Sequence, residues 1–323
     1  MKRDKPGLLA IIPNDYSIKE GLLHLKRLVF GISYYGKSTA PKPLPKHFDA
    51  NKGFAKKTVL FTGDLMPTSG FDLSFAPSVK RFISDVDIVI INFEGVINNR
   101  KNGLQLLSHN KKIINDIKLL FENKAIIISC ANNHANDFGH DIFLKSYNLL
   151  KESGFKVLGH KDEPSLVLGD LNFCSVSTLS NNSNPPIYYQ KDLTSKDLDS
   201  SIKQDKFNIL LPHWGIEFTR YPTQKQVVVS NGLLKKWDQI VGSHSHYPQI
   251  LTSKTVNNTK KIIAYSLGNF CFRSFFPVHR YGALLKTEIG KLNGKPVLIK
   301  SEYIDTRCSF KKDRFHIQEF VLK

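Results

Sequence analysis

Short apolar runs recur along the chain, and segments with helical spacing lie between them. The five runs are 58–62 (TVLFT), 87–92 (DIVIIN), 125–129 (AIIIS), 207–211 (FNILL) and 238–241 (DQIV). Their lengths and β-branched side chains are typical of strands that are buried on both faces. Residues 113–121 and 142–150 carry apolar side chains at the spacing of one helix face. This alternation predicts a largely parallel core sheet with helices outside it.

A second group of segments has the pattern of strands joined by tight turns. The group contains 262–267, 282–289 and 296–303, and also 165–178, which resembles a hairpin turning near Gly169-Asp170. We expect these segments to form a second, mixed or antiparallel sheet. The chain is therefore predicted to be an α/β protein with two face-packed mixed β-sheets flanked by helices. Folds of this kind bind ligands at the carboxyl ends of their strands.

Residues 1–56 differ from the rest of the chain because they carry no motif. Residues 40–46 (APKPLPK) have the proline spacing of an extended linker. Upstream of them, Leu22, Leu25 and Val29 have the spacing of one face of an amphipathic helix. We therefore predict an N-terminal extension over 1–56 and one large domain over 57–323, a length that suits a single α/β unit.

Charge and cysteine usage narrow the class of protein. The chain has 46 basic and 28 acidic residues, a net charge of +18, but the lysines occur as short pairs and form no long basic run. A solvated lysine-rich surface is favoured over a polyanion groove, so nucleic acid is an unlikely partner, while an anionic or phosphate-bearing substrate would be attracted. The four cysteines lie far apart in apolar runs, which indicates buried thiols in a reducing compartment.

Location follows from what the sequence does not contain. The first apolar stretch ends at Pro13 and is too short for a signal-peptide core. No run of about 20 uncharged apolar residues occurs, so no transmembrane segment is predicted. The cytoplasm is the expected compartment.

Polar residues follow the apolar runs in five short motifs. They are Gly63-Asp64, Asn92-Phe93-Glu94, Asn132-Asn133-His134, His213-Trp214-Gly215 and His244-Ser245-His246. Together they supply carboxylate, amide and imidazole groups, the mixture that suits Mn²⁺, Fe²⁺ or Zn²⁺. Glu94 is the natural bridging ligand, and two ions about 3.5 to 4 Å apart can clamp the attacking and leaving oxygens of a displacement.

Each of these residues also has a structural interpretation. Alone, His213 or His244 is more often a core histidine bonded to the backbone, and Asp64 could cap a turn. Asp137 could orient His134 or cap the helix after Gly139. Glu94 differs, because a buried carboxylate without a cation is strongly disfavoured. The order of the motifs, rather than any one residue, favours a metal site.

Six motifs in order carry a resemblance to a known family. They are Gly63-Asp64, Asn92-x-Glu94, Asn132-Asn133-His134-x-x-Asp137-x-Gly139, His213-Trp214-Gly215-x-Glu217, Gly242-x-His244-x-His246 and Tyr265-Ser-Leu-Gly-Asn-Phe270. This set resembles the CapA-type poly-gamma-glutamate capsule biosynthesis proteins, divergent members of the calcineurin-like metallophosphoesterase superfamily. The likeness runs over residues 59–272 and implies the four-layer sandwich of that superfamily.

The resemblance also implies roles for individual residues. Asp64 and His246 would bind a first metal ion, and Glu94 would bridge it to a second ion. Asn133, His213 and His244 would complete the second site.

Beside these two sites, the resemblance places His134 as general acid or phosphate contact, oriented by Asp137. The superfamily has a histidine where this chain has Met66, a loss that CapA-type proteins share. One or two divalent ions are therefore expected, held more firmly on the side of Asn133.

The function that the resemblance implies is that of a metal-dependent hydrolase. Its substrate would be a phosphoester, or an activated acyl phosphate or amide, in poly-gamma-glutamate or related surface-polymer biosynthesis. An alternative is a non-catalytic accessory subunit of a polymer synthesis or export complex, with synthase components as partners. A third hypothesis, polyanion binding, predicts an affinity that falls steeply with salt.

Overall fold

The computed structural model describes residues 18–98, 106–272, 277–311 and 314–321. Within these ranges the α-helices are α1 (Ile18–Phe30), α2 (Pro77–Phe82), α3 (Ile113–Leu120), α4 (His140–Glu152), α5 (Lys196–Asp199) and α6 (Gln224–Leu233). The strands are β1 (His47–Asp49), β2 (Phe54–Leu65), β3 (Asp72–Phe75), β4 (Ile88–Phe93), β5 (Val96–Ile97), β6 (Ser108–His109), β7 (Ala125–Ser129), β8 (Lys156–Leu158), β9 (Ser165–Leu168), β10 (Leu171–Ser177), β11 (Phe207–His213), β12 (Gln239–Val241), β13 (Leu251–Val256), β14 (Thr259–Ala264), β15 (Asn269–Cys271), β16 (Tyr281–Leu292), β17 (Lys295–Lys311) and β18 (Arg314–Glu319).

Two large sheets form the centre of the molecule. The first has ten strands in the order β3-β18-β17-β16-β2-β4-β7-β8, with β1 paired to β17 and β15 to β2. The second has six strands in the order β13-β14-β12-β11-β10-β9. Strands β2, β4, β7 and β8 run parallel, as do β10, β11, β12 and β14. The first sheet also has antiparallel strands on the side of β16 and β17, and the second has one at each edge, β13 and β9, so both sheets are mixed.

Alternating side chains place the two sheets face to face. Val59 and Phe61 of β2 share one core with Ile209 of β11, so this core lies between the sheets. Leu60 belongs to a second core with the helices α2, α3 and α4, while Leu210 belongs to a third with α5 and α6. Successive strand residues point to opposite faces, which explains this division. The predicted fold, two face-packed mixed sheets flanked by helices in four layers, is confirmed.

The predicted distribution of strands between the sheets was wrong in part. β11 and β12 were expected in the parallel core sheet, but they lie in the six-stranded sheet beside the hairpin of β9 and β10. Conversely, β16 and β17 were expected in the second sheet and instead pair with β2 in the first. An apolar run indicates that a strand is buried. The neighbouring strand with which it forms hydrogen bonds depends on packing between distant parts of the chain.

The N-terminal extension contacts the rest of the chain at several points. β1 pairs with β17, and β2 already begins at Phe54. The expected helix is present as α1, but the face with the apolar spacing is not the one that it buries. Leu22 is 58% exposed, whereas His24 and Arg27 are buried; the side chain of Val29 lies outside the described residues. These two polar residues face the domain because both contact Glu217. Their contacts, and not the spacing of the apolar side chains, decide which face of the helix is buried.

All four cysteines are buried free thiols, as the sequence predicts. The sulfur atoms of Cys271 and Cys308 lie 3.2 Å apart. Among the helices in the described ranges, none combines the length and the hydropathy needed to span a bilayer.

Candidate metal centre

Asp64 lies at the carboxyl end of β2, where two sheets of the fold meet. Its Oδ1 accepts a hydrogen bond from Asn92 Nδ2 at 2.8 Å, and its Oδ2 accepts one from the backbone N–H of His244 at 3.1 Å. The preceding residue must be glycine, because a Cβ at Gly63 would lie 2.0 Å from the carbonyl oxygen of Gly268. Asp64 is thus fully buried and held by residues of both sheets.

Glu94 follows β4 and is the most unusual group in the described part of the chain. Its side chain has no solvent exposure, and neither carboxylate oxygen has a hydrogen-bond partner among the described residues. Its Oε1 faces three imidazole nitrogens instead, at 3.6 Å from His246, 3.9 Å from His134 and 4.0 Å from His213. Burial raises the pKa of Glu94 to about 8. A buried acceptor without a donor is costly, and a bound cation would offset that cost.

The turn after β12 carries His244 and His246 in unusual backbone conformations. Their φ angles are +90° and +53°, in the left-handed region that side chains other than glycine rarely adopt. Such strain is found where the surrounding structure over-determines a functional geometry. The turn directs His246 Nδ1 toward Asp64 Oδ2 at 3.3 Å and toward Asn269 Oδ1 at 3.0 Å.

Asn269 supports His246 from the neighbouring strand β15. Its amide nitrogen donates to the backbone oxygens of His246 and His279, at 3.3 and 2.9 Å, while its oxygen faces the ring of His246. These contacts fix both the backbone and the ring of His246.

His213 lies at the end of β11 and faces Asn133 from the other sheet. Its Nε2 is 2.8 Å from Asn133 Oδ1 and 3.2 Å from His244 Nδ1, and its Nδ1 is 2.9 Å from Ser243 Oγ. Burial keeps the pKa of His213 well below its usual range and lowers the pKa of His244 to about 3. Both rings are therefore neutral near pH 7, the state in which imidazole binds a metal ion.

His134 and Asp137 form a hydrogen-bonded pair at the edge of the centre. His134 Nδ1 lies 2.8 Å from Asp137 Oδ2, and Asp137 makes no capping bond to α4, whose N-cap is Gly139. Burial lowers the pKa of His134, but the charges of Asp137 and Glu94 outweigh burial and raise it to about 9. The ring is thus protonated near pH 7, with Nε2 directed toward Glu94.

All eight residues predicted from sequence lie in this one place. Six of them are the predicted metal ligands, Asp64, Glu94, Asn133, His213, His244 and His246, and two are the predicted catalytic pair, His134 and Asp137. Their proximity follows from the parallel strands, whose carboxyl ends meet at one edge of each sheet. Their roles as ligands and catalysts stay predictions.

Two residues of the centre had no role assigned from sequence. Glu217 is buried, and its Oε1 lies 3.9 Å from His244 Nε2. Its Oε2 lies 2.8 Å from Nδ1 of His24, which comes from α1. Burial raises the pKa of Glu217, but the charges of His24, His244 and His246 outweigh burial and hold it well below its usual range. The spacing His-Trp-Gly-x-Glu was a signal for Glu217, whereas no local pattern pointed to His24.

The residues present fit a divalent ion in two overlapping groups. The ligand atoms of Asp64, Glu94 and His246 lie within 4.8 Å of one another, and so do those of Glu217, His244 and His246. The unpartnered oxygens of Glu94 lie within the first group. Met66 is buried and brings a thioether instead of an imidazole, a poor ligand for hard and borderline ions.

Metal affinity is expected to rise between about pH 6 and pH 9. Burial raises the pKa of Glu94 to about 8. Burial lowers the pKa of His246, but the carboxylates of Glu94 and Asp64 outweigh burial and raise this pKa to about 10. Both groups must lose a proton before they bind an ion, so a higher pH favours binding. Calorimetric titration with Mn²⁺ in buffers of different ionisation enthalpy measures this release. Equal affinities across the range, without proton release, would contradict the prediction.

The comparisons with known proteins agree with the order of the motifs. The family model described as "Bacterial capsule synthesis protein PGA_cap" matches residues 58–274. The PGA biosynthesis protein CapA of Bacillus subtilis is 24% identical over 297 residues, 82% of this chain and 74% of that protein. The capsule biosynthesis protein CapA of Bacillus anthracis is 25% identical over 279 residues, 75% of this chain and 66% of that protein.

Two solved structures resemble the chain more distantly. A hypothetical protein from Thermus thermophilus has a TM-score of 0.45 at 18% identity, covering 77% of this chain and 99% of that one. The calcineurin-like phosphoesterase YfkN from Bacillus subtilis has a TM-score of 0.42 at 11% identity, covering 77% and 90%. The family assignment depends on the sequence match, which spans more than half of the chain. The chain therefore belongs to the bacterial capsule synthesis protein family PGA_cap.

Proposed function

We propose that this protein is a metal-dependent hydrolase that acts at the phosphorus of a phosphoester or an acyl phosphate. The observation that carries the proposal is Glu94, a fully buried carboxylate without a hydrogen-bond donor, grouped with Asp64 and His246. When bound, divalent ions supply Lewis-acid charge that polarises a phosphoryl oxygen and activates water. The residues of the chain hold the ions and handle the protons.

The residues divide into two sets of proposed ligands and one proton donor. Asp64, Glu94 and His246 would hold one ion, and Asn133, His213 and His244 a second, with Glu94 between them. His134 is the donor, because Asp137 holds Nδ1 and leaves Nε2 facing the centre. A proton held at Nε2 can pass to the leaving oxygen as the bond to phosphorus breaks. The imidazolium also attracts the negative charge of a phosphoryl group.

The biological setting is proposed from the family. Relatives carry names that refer to PGA and capsule biosynthesis. We infer that the substrate is an anionic intermediate of a surface polymer such as poly-gamma-glutamate, which the net charge of +18 would attract. Mn²⁺, Fe²⁺ and Zn²⁺ all suit the mixed donors. Synthase components as partners and the cytoplasm as compartment are part of this proposal.

Replacing His134 by alanine is expected to lower kcat about 100-fold, and Asp137→Asn about 10-fold, because both changes impair proton transfer. Metal content should stay that of the wild type, since neither residue is a proposed ligand. The assay uses an aryl phosphate and acetyl phosphate, with metal content measured by mass spectrometry. His47→Ala is the control, because His47 is exposed on β1. A wild-type protein that binds metal but hydrolyses neither compound would favour the accessory-subunit alternative.

A further inference from the structure

The inner face of α1 is polar and contacts the loop that follows β11. His24 and Arg27 are buried, and both reach Glu217. His24 Nδ1 lies 2.8 Å from Glu217 Oε2, and Arg27 Nη1 donates to the backbone oxygen of Glu217 at 2.9 Å. The N-terminal helix therefore contacts both the side chain and the backbone of this glutamate.

The chain just after α1 fixes the same loop through its backbone. The N–H of Ser33 donates to the oxygen of Phe218 at 2.8 Å, and the N–H of Arg220 donates to the oxygen of Ser33 at 2.9 Å. The ring of His24 also lies 5.5 Å from the ring of Phe218. These contacts surround Glu217 and restrict its position more than one ion pair could.

The other carboxylate oxygen of Glu217 points into the metal centre. Its distance of 3.9 Å to His244 Nε2 is too long for a hydrogen bond, and His244 Nε2 has no donor or acceptor partner among the described residues. Two atoms that each bind one ion at about 2.0–2.2 Å can lie up to about 4.4 Å apart, so this separation permits a shared ion. The ligand atoms of Glu217, His244 and His246 also lie within 4.8 Å of one another.

We propose that Glu217 is a further carboxylate ligand of the metal centre and that α1 positions it through His24 and Arg27. This inference rests on the metal centre proposed above. It adds an oxygen ligand beside His244 and His246. A buried carboxylate that is hydrogen-bonded on its far oxygen is the usual arrangement of a metal ligand, because the outer partner fixes its orientation. His24 is accordingly a positioning residue.

The proposal gives the N-terminal extension a function that a simple docking helix would lack. If the pair of His24 and Glu217 only attached α1 to the domain, its loss would lower stability and leave metal affinity unchanged. If α1 positions a ligand, its loss lowers metal affinity. The two interpretations therefore differ in a binding measurement that does not depend on catalysis.

The test is a calorimetric titration of the metal-free protein with Mn²⁺ or Zn²⁺ as the only ligand. Glu217→Gln is expected to weaken binding about 100-fold and His24→Ala about 10-fold, the range found when ligands and their outer partners are removed. His24→Asn keeps an N–H near the Nδ1 position and should recover most of the affinity. Lys26→Ala, on the exposed side of α1, is the matched control.

Circular dichroism and the melting temperature of the metal-free variants separate folding from binding. Wild-type affinity in Glu217→Gln, with hydrolysis intact, would overturn this proposal and leave the proposed function standing. Wild-type affinity in a folded His24→Ala would overturn the positioning role even where Glu217→Gln does not fold. In a third outcome the wild type binds metal, Glu217→Gln does not, and neither protein hydrolyses a phosphate compound. That result would overturn the proposed hydrolase function and support Glu217 as a metal ligand.

Discussion

Glu94→Gln is expected to remove the metal ion beside Asp64 and to lower hydrolysis at least about 1,000-fold, since metal charge stabilises the transition state by several kcal/mol. The change keeps the size of the side chain and replaces one ligand oxygen with an N–H₂ group. Glu94 faces three imidazoles and lies between the two proposed ligand sets, so its loss should affect both sets.

The measurements for this variant are metal content after purification without chelator and kcat with an aryl phosphate. Glu152→Gln is the matched control, because Glu152 ends α4 with its side chain exposed. A Glu94→Gln protein that is folded, holds the wild-type amount of metal and turns over at the wild-type rate would contradict the assignment of Glu94 as the bridging ligand.

Without metal, the stability of the wild type and of Glu94→Gln is expected to depend differently on pH. Burial raises the pKa of Glu94, so the folded state binds a proton that the unfolded state has lost near neutral pH. Stability from such a group is present at low pH and lost as pH rises toward the folded pKa. Between pH 6.5 and 8, metal-free wild type should therefore lose more stability than Glu94→Gln, which urea unfolding at several pH values would measure.

Gly242→Ala is expected to destabilise the protein by about 3 kcal/mol, near the upper end of overpacking effects. A Cβ at this position would lie 2.2 Å from the carbonyl oxygen of Tyr265 and 2.3 Å from Trp214 Nε1. The indole donates to that same carbonyl at 2.9 Å, so neither group can move without breaking the contact. Movement of the backbone at residue 242 away from these two groups would also displace the turn that carries His244.

Urea unfolding of the two alanine variants provides the comparison. Gly232→Ala is the matched control: Gly232 lies in α6, and a Cβ there meets nothing within 4 Å. Alanine in a helix is favoured over glycine, so this control should be neutral or stabilising by up to about 1 kcal/mol. An unfolding midpoint for Gly242→Ala equal to that of the wild type would show that the backbone relaxes without cost.

Much of the architecture could be predicted because burial is periodic along the chain. The runs that became β2, β4, β7 and β11 contain the apolar residues that fill the layers, and their sequence alone predicts strands. The pairing of β11 with β10 rather than with a strand of the first sheet could not be predicted in this way. Pairing depends on contacts between residues far apart in sequence, and the apolar runs are alike.

The candidate metal centre shows the same division between local and distant information. Asp64, Glu94 and His246 were identifiable because polar groups directly after apolar strands are expensive to bury unless they have a function. Glu217 was less visible, since it lies in an irregular turn four residues beyond His213. His24 could not be predicted as part of the site, because its partner Glu217 is 193 residues away in sequence.

The sequence by itself determined the α/β class, the burial of the runs that form strands, and the positions of the polar groups that end the strands, since each depends on a short-range pattern of burial. Only the tertiary structure decided which sheet each strand joins, that Glu94 lacks any hydrogen-bond donor among the described residues, and that α1 turns His24 toward Glu217. Those features depend on contacts between residues that are far apart in sequence. The free energy of packing and of charge pairing brings these residues together.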